Sequence, residues 1–194
     1  TWMELYNQAR INSGQTAVFP ENVISDFRNN SDPYLYPNTD FNDVMFRKAP
    51  LLNNNLSISG GSKNSKYYIS FNYQDQDGIL IGTKSKKFEL TMNLESKVND
   101  WISIGGRIST RNKVTDGPFD SERVSYIWSN GAYPVIAAYN KDGTPGGVQA
   151  LDKNGNQLIA NRNPVLEALN GNTNDNGFLT RWAGYGDFRL LDGL

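Results

Sequence analysis

Residues 66–74 read Lys66-Tyr67-Tyr68-Ile69-Ser70-Phe71-Asn72-Tyr73-Gln74, and residues 87–98 read Lys87-Phe88-Glu89-Leu90-Thr91-Met92-Asn93-Leu94-Glu95-Ser96-Lys97-Val98. In the first, Tyr67, Ile69, Phe71 and Tyr73 occupy the odd positions, against Lys66, Tyr68, Ser70, Asn72 and Gln74. In the second, Phe88, Leu90, Met92, Leu94 and Val98 alternate with Lys87, Glu89, Thr91, Asn93, Glu95 and Lys97. Successive side chains of a strand point to opposite faces, so both segments predict strands with one apolar and one polar face. Globular strands run about 5–6 residues, whereas bilayer-crossing strands need about 9–11. These runs have the bilayer length. The question they pose is whether the apolar face meets a protein core or lipid.

The surrounding pattern predicts a mainly β fold: an antiparallel meander of about five long strands from a transmembrane β-barrel, with short helices in long loops. Working outward, the first strand is expected over Leu52–Gly60, the second over Lys66–Asp75, the third over Lys87–Val98, the fourth over Trp101–Lys113 and the fifth over Phe178–Leu191. Gly61–Ser65 and Asn99-Asp100 make short turns. Asp77-Gly78 and Gly82-Thr83 bound a longer connection. Before the strands, Trp2, Leu5, Tyr6 and Ala9 fall on one helical face that Gly14 closes. Glu21–Arg28 reads as a second helix. Thr39 or Asp40 caps a third through Arg47, stopped by Pro50. Between residues 113 and 177, helices are expected at Ser121–Ser129, with Ser121 as cap, and at Pro164–Leu169, with Asn163 as cap and proline at the first helical position. The expected division is 1–51 and 114–177 as extracellular loop regions, 52–113 as four barrel strands and 178–194 as a fifth. Short turns alternating with long loops are the rhythm of outer-membrane barrels.

Composition narrows the function. The 194 residues carry a net charge of −1, which gives no bulk electrostatic case for nucleic acid. Cysteine and histidine are absent. That removes disulfides, thiol nucleophiles, serine–histidine triads and nearly all zinc sites. No run of 18 apolar residues predicts a transmembrane helix. The chain opens in mid-helix and closes on Asp192-Gly193-Leu194, so both ends read as cut from a longer protein.

The residues also carry a family resemblance. Asn54-Asn55-Leu56-Ser57-Ile58-Ser59-Gly60-Gly61-Ser62, followed by Lys66–Ile79, resembles the early barrel of SusC/RagA-type TonB-linked outer-membrane transporters. So do Leu5-Tyr6-Asn7, Asp32-Pro33, Tyr36-Pro37-Asn38-Thr39-Asp40, Val98-Asn99-Asp100-Trp101 and Asn163-Pro164. The resemblance implies a plugged barrel of 22 strands. It implies import of glycans or peptides across the outer membrane of a Gram-negative bacterium of the Bacteroidetes. Its implied partners are a SusD-like surface lipoprotein, the TonB complex and outer-membrane lipid. The family's carboxypeptidase-like domain, TonB box, plug and C-terminal strand have no counterpart in this sequence, and five strands cannot close a barrel.

No catalytic, metal or cofactor site stands out. Asp116, Asp120, Glu122, Asp142, Asp152, Glu167 and Asp175 are scattered, with no pair marked for acid–base work. Asn172–Gly177 has the oxygen spacing of the start of a calcium loop, but the twelfth position is Ala183 rather than an acid, and a polar turn is expected. Four loop aromatics, Tyr126, Trp128, Tyr133 and Tyr139, either form part of a ligand platform or anchor the loop's own core. Arg107, Arg111, Arg181 and Arg189 fall on the lumen-facing side; they either line the import path or pair with Glu89, Glu95 and Asp187. The alternative to an importer is a secreted β-sandwich that binds carbohydrate. An enzyme is not expected.

Overall fold

A computed structural model describes residues 1–29, 32–129 and 131–189. The chain divides into two compact units. The first gathers Thr1–Lys48, Ile79–Gly82 and Gly117–Asn172; the second holds Ala49–Gly78, Thr83–Asp116 and the chain from Thr173.

The second unit is built on an antiparallel sheet of five strands in the order β1-β2-β3-β4-β7. These are β1 (Leu51–Gly61), β2 (Ser65–Asp77), β3 (Lys84–Lys97), β4 (Ile102–Pro118) and β7 (Asn172–Phe188). All five expected strands form, each displaced or longer at its ends than the alternation marks. Leu190 and Leu191 of the expected fifth strand, and the 192–194 tail, lie outside the described residues. Register is fixed by pairs such as Leu56↔Phe71, Phe71↔Leu90 and Leu90↔Thr110. Between β4 and β7, the Arg189 amide donates to Trp101 O at 2.9 Å and the hydroxyls of Thr110 and Thr180 lie 3.2 Å apart. The sheet is open, with β1 and β7 at its edges. The turn before β4 is set by Asn99, whose Oδ1 accepts from the amides of Trp101 and Ile102, both at 2.8 Å.

One expectation is corrected here. Asn172–Gly177 is not a polar turn but the first third of β7, which neighbours β4 in the sheet. Asp116 on β4 takes a 2.6 Å hydrogen bond from Asn174 Nδ2, so strand pairing overrides the local turn preference of Asn, Asp and Gly.

The first unit contains the core. Every buried hydrophobic side chain among the described residues lies in it. Its helices are α1 (Trp2–Asn12), α2 (Glu21–Asn29), α3 (Phe41–Met45), α4 (Ser121–Ser129) and α5 (Pro164–Leu169), with a small hairpin of β5 (Gln149–Leu151) and β6 (Gln157–Ala160) that alternation did not mark. One cluster packs Met3, Phe19, Ile24 and Ile136; the other packs Met45, Val124, Val165 and Ala168. Asp40 caps α3, accepting from the Asn42 amide at 2.8 Å. That helix ends at Met45, short of the expected Arg47, because Phe46 pairs with Leu80 as a β-bridge. The cap of α4 is Asp120, whose carboxylate accepts from the Arg123 amide at 2.8 Å, rather than Ser121.

Asn163 caps α5 as expected and does more. It is fully buried. Its Oδ1 accepts from the Val165 amide at 3.0 Å, while Nδ2 reaches Ala137 O and Gly146 O, each at 3.0 Å. One side chain thereby ties α5 to two loop segments that are joined to each other by the Gly146 amide donating to Ala138 O and by a single β-bridge between Tyr139 and Pro145.

Candidate functional site

The sheet presents two unlike faces. On one, register stacks Ile58, Ile69, Met92 and Ile108 in a row, with Leu56, Phe71 and Leu90 in the next. On the other, Ser57, Ser70, Thr91 and Ser109 line up in the same way. The apolar face is uncovered: Leu56 is 74% exposed, Leu94 59% and Trp182 82%. A contiguous apolar sheet face without a covering layer marks an interaction surface with a membrane or another protein rather than an ordinary soluble surface. A β-sandwich needs a second sheet packed on it. The other sheet among the described residues is the two-stranded β5–β6 hairpin of the first unit.

On β2 and β3 the apolar face ends abruptly toward the loops. Tyr73 packs against Phe88 with ring centroids 4.9 Å apart and planes tilted by 37°, and its hydroxyl donates to Asp75 at 3.1 Å. Beyond them on the same face, Lys84 lies 3.3 Å from Asp75 and 3.5 Å from Asp77, and Lys86 lies 3.9 Å from Asp75.

The four arginines lie along the polar face of β4 and β7. Arg107 stands opposite Asn93 and Arg111 opposite Glu89. Glu89 is nonetheless held by Lys87 at 3.2 Å and by Asn72 at 3.3 Å, so the expected Arg–Glu pairing is not the one formed there. Arg181 follows on the exposed β7, and Arg189 comes just after its end, its amide donating to Trp101 O. One contact on this face escaped the sequence. The Tyr185 ring lies over Gly105, where an added Cβ would come within 2.2 Å of it. The paired glycines at 105 and 106 were the available signal, since a glycine inside a strand marks close approach.

The loop aromatics do not form a common platform. Tyr133 packs into the first core cluster, 4.8 Å from Trp2 and 6.2 Å from Tyr6. Tyr139 packs against the second cluster and bridges to Pro145. Trp128 is half-buried against that cluster, edge-on to Phe46 at 5.1 Å. Tyr126 is exposed. Trp128 also walls a cavity of about 560 Å³ with Asn38, Thr39, Asp40, Asn42 and Gly131. An aromatic wall with amide, hydroxyl and carboxylate groups around it suits a small polyhydroxylated or peptide-like ligand. The contribution of residues 38–42 to it was not legible, because the two stretches are some ninety residues apart.

Five of the scattered acids, Asp116, Asp120, Asp142, Asp152 and Glu167, serve local structure. Glu167 pairs with Arg123 at 2.9 Å. Asp142 accepts from the Thr144 hydroxyl and amide, which hold its carboxyl below the usual range. Asp152 is lowered in the same way, first by the Asn156 side chain and then by backbone amides of its own turn.

No family model matches the chain. Among curated proteins it is 32% identical over 119 residues to the TonB-dependent receptor P26 of Formosa agariphila and 34% over 116 residues to the TonB-dependent receptor P3 of the same organism. It is 39% identical over 57 residues to the TonB-dependent receptor SusC of Bacteroides thetaiotaomicron. These alignments cover 60%, 55% and 29% of the chain, and 11%, 11% and 6% of the relatives. The chain thus spans about a tenth of the length of the curated relatives it matches. The resemblance read from the sequence is borne out: these relatives are TonB-dependent receptors, SusC among them.

Proposed function

We propose that this chain forms part of the barrel wall of an outer-membrane TonB-dependent importer of the SusC type. The observation that carries this reading is the uncovered apolar face of the β1–β4 and β7 sheet. Its strands run 11–17 residues, long enough to cross a bilayer. The similarity to TonB-dependent receptors supports the same reading.

In this reading the apolar face meets lipid and the polar face, with Arg107, Arg111, Arg181 and Arg189, lines the interior. The turns at 62–64 and 98–101 are periplasmic. The segments before β1, between β2 and β3, and between β4 and β7 leave the opposite end of the sheet and are extracellular. The Trp128 cavity is the candidate contact for a glycan or peptide, taken up together with a SusD-like lipoprotein. TonB acts through other parts of the receptor, and the protein transports rather than transforms its substrate.

The test is fractionation of the full-length parent protein from its native host. The reading expects recovery with detergent-solubilised outer membrane. Recovery in the soluble periplasmic or secreted fraction refutes it and favours the sandwich.

A further inference from the structure

The polar face of the sheet is not evenly charged. Register puts Lys87 opposite Lys113, Glu89 opposite Arg111 and Asn93 opposite Arg107. The hydroxyl contact between Thr110 and Thr180, and the Tyr185 ring over Gly105, set β7 so that Arg181 falls opposite Ser109. Lys87, Arg107, Arg111, Lys113 and Arg181 thus crowd into four consecutive rows of β3, β4 and β7, where Glu89 is the one carboxylate. Lys87 takes that carboxylate at 3.2 Å. Arg107, Arg111, Lys113 and Arg181 make no ion pair among the described residues. In the bordering rows, Asp175 stands beyond one end and Glu95, opposite Lys66, beyond the other, and the excess stays positive.

The four unpaired cations form a track. Lys113, Arg111, Arg181 and Arg107 follow one another at steps of about 7–8 Å along and across the strands, over about 20 Å in all. Like charges facing each other across a ladder destabilise a sheet, so Lys87 opposite Lys113 is a cost that folding alone does not explain. A surface of one sign inside a walled, low-dielectric space focuses its field and concentrates ions of the opposite sign. Guanidinium groups add paired donors that match the oxygens of a carboxylate or sulfate. We propose that this track binds an anionic oligosaccharide, one that carries carboxylate or sulfate groups along its length.

The neighbours of the track favour sugar over an acidic peptide. Around it on the same face stand Asn72, Asn93, Ser70, Thr91 and Ser109, amides and hydroxyls suited to a hydroxylated ligand. In the four rows β7 adds Leu179 and Ala183 as the apolar side chains, too little surface to bury the side chains of a peptide.

The proposal rests on the reading that the polar face lines the interior of an importer, and its experiment separates the two. The full-length receptor is reconstituted in lipid vesicles. Equilibrium dialysis then compares a short dextran, dextran sulfate of the same length and hexaglutamate. Dextran sulfate is expected to bind at least about tenfold more tightly than dextran at low salt. That advantage is expected to collapse at about 1 M salt, where the screening length is about 3 Å. It is expected to fall below about threefold in the variant combining Arg107→Gln, Arg111→Gln, Lys113→Gln and Arg181→Gln. If that variant does not fold, Arg181→Glu alone, on the exposed β7, is expected to cost about threefold. Equal binding of the two dextrans, or an advantage that survives these substitutions, overturns the track. Tighter binding of hexaglutamate than of dextran sulfate overturns its assignment to carbohydrate. A receptor that does not float with the vesicles refutes the membrane reading itself.

Discussion

Met92→Arg is the substitution on which the lipid-facing reading makes its sharpest quantitative statement. Met92 lies on β3 between Phe88 and Val98, in the row of Ile69 and Ile108. Four residues separate it from Phe88 and six from Val98. At about 3.3 Å per residue and the 35–45° tilt of barrel strands, it sits about 10 Å below one edge of the hydrocarbon and about 15 Å above the other. A guanidinium near the midplane of a barrel's lipid face costs about 2–4 kcal/mol, or roughly 30- to 700-fold in the folding equilibrium. Ser70→Arg is the control. Ser70 is on the polar face of the neighbouring strand, opposite Thr91 and diagonal to Glu89. An arginine there keeps its solvation and gains a carboxylate neighbour, so less than about 1 kcal/mol is expected. Urea unfolding of the full-length receptor in lipid vesicles, followed by heat-modifiable gel mobility, reads both. Equal costs at the two positions, or a tolerated Met92→Arg, would refute the assignment of faces.

Three other outcomes follow from the described contacts. Asn163→Ala removes a helix cap, worth about 1 kcal/mol, and leaves the Ala137 and Gly146 carbonyls without their donor at about 1–3 kcal/mol; protease cleavage within residues 131–162 is expected to rise at least tenfold, and unchanged cleavage would contradict the clamp. Gly105→Ala drives a methyl into the Tyr185 ring and is expected to cost about 1–3 kcal/mol, largely relieved in the Gly105→Ala/Tyr185→Ala double variant; additive costs in an unfolding cycle would contradict the contact. Asp152 has its folded pKa lowered, so its stabilisation of the 152–156 turn is complete above the unfolded carboxylate value and fades as pH falls through the lower folded value. Amide exchange at Asn154 and Asn156, which donate to that carboxylate, should therefore accelerate, beyond the intrinsic pH trend, below about pH 4.

Much of the sheet was legible because its two faces meet unlike surroundings, which forces a period of two on Lys66–Gln74 and Lys87–Val98. Asn163-Pro164 was legible because a cap followed by proline is a local device. The start of β7 was not. Residues 172–177 are small and polar on both faces, so nothing in them distinguishes a paired strand from a turn, and only the neighbouring β4 decides. The β5–β6 hairpin escaped because strands of three and four residues are too short to show a period. The loop aromatics could be nominated but not sorted: Tyr133 is taken up by Trp2 and Tyr6, more than a hundred residues away.

The central claim is that the face carrying Phe88, Leu90, Met92 and Leu94 looks at lipid. The most direct measurement is a nitroxide scan of residues 87–95 in the full-length receptor in lipid vesicles, comparing relaxation by oxygen and by a water-soluble nickel complex. The account predicts oxygen access peaking at 88, 90, 92 and 94, and nickel access peaking at 87, 89, 91, 93 and 95. High nickel access at the even positions, or low access of both reagents there, would mean that water or a protein core meets this face, and would contradict the account.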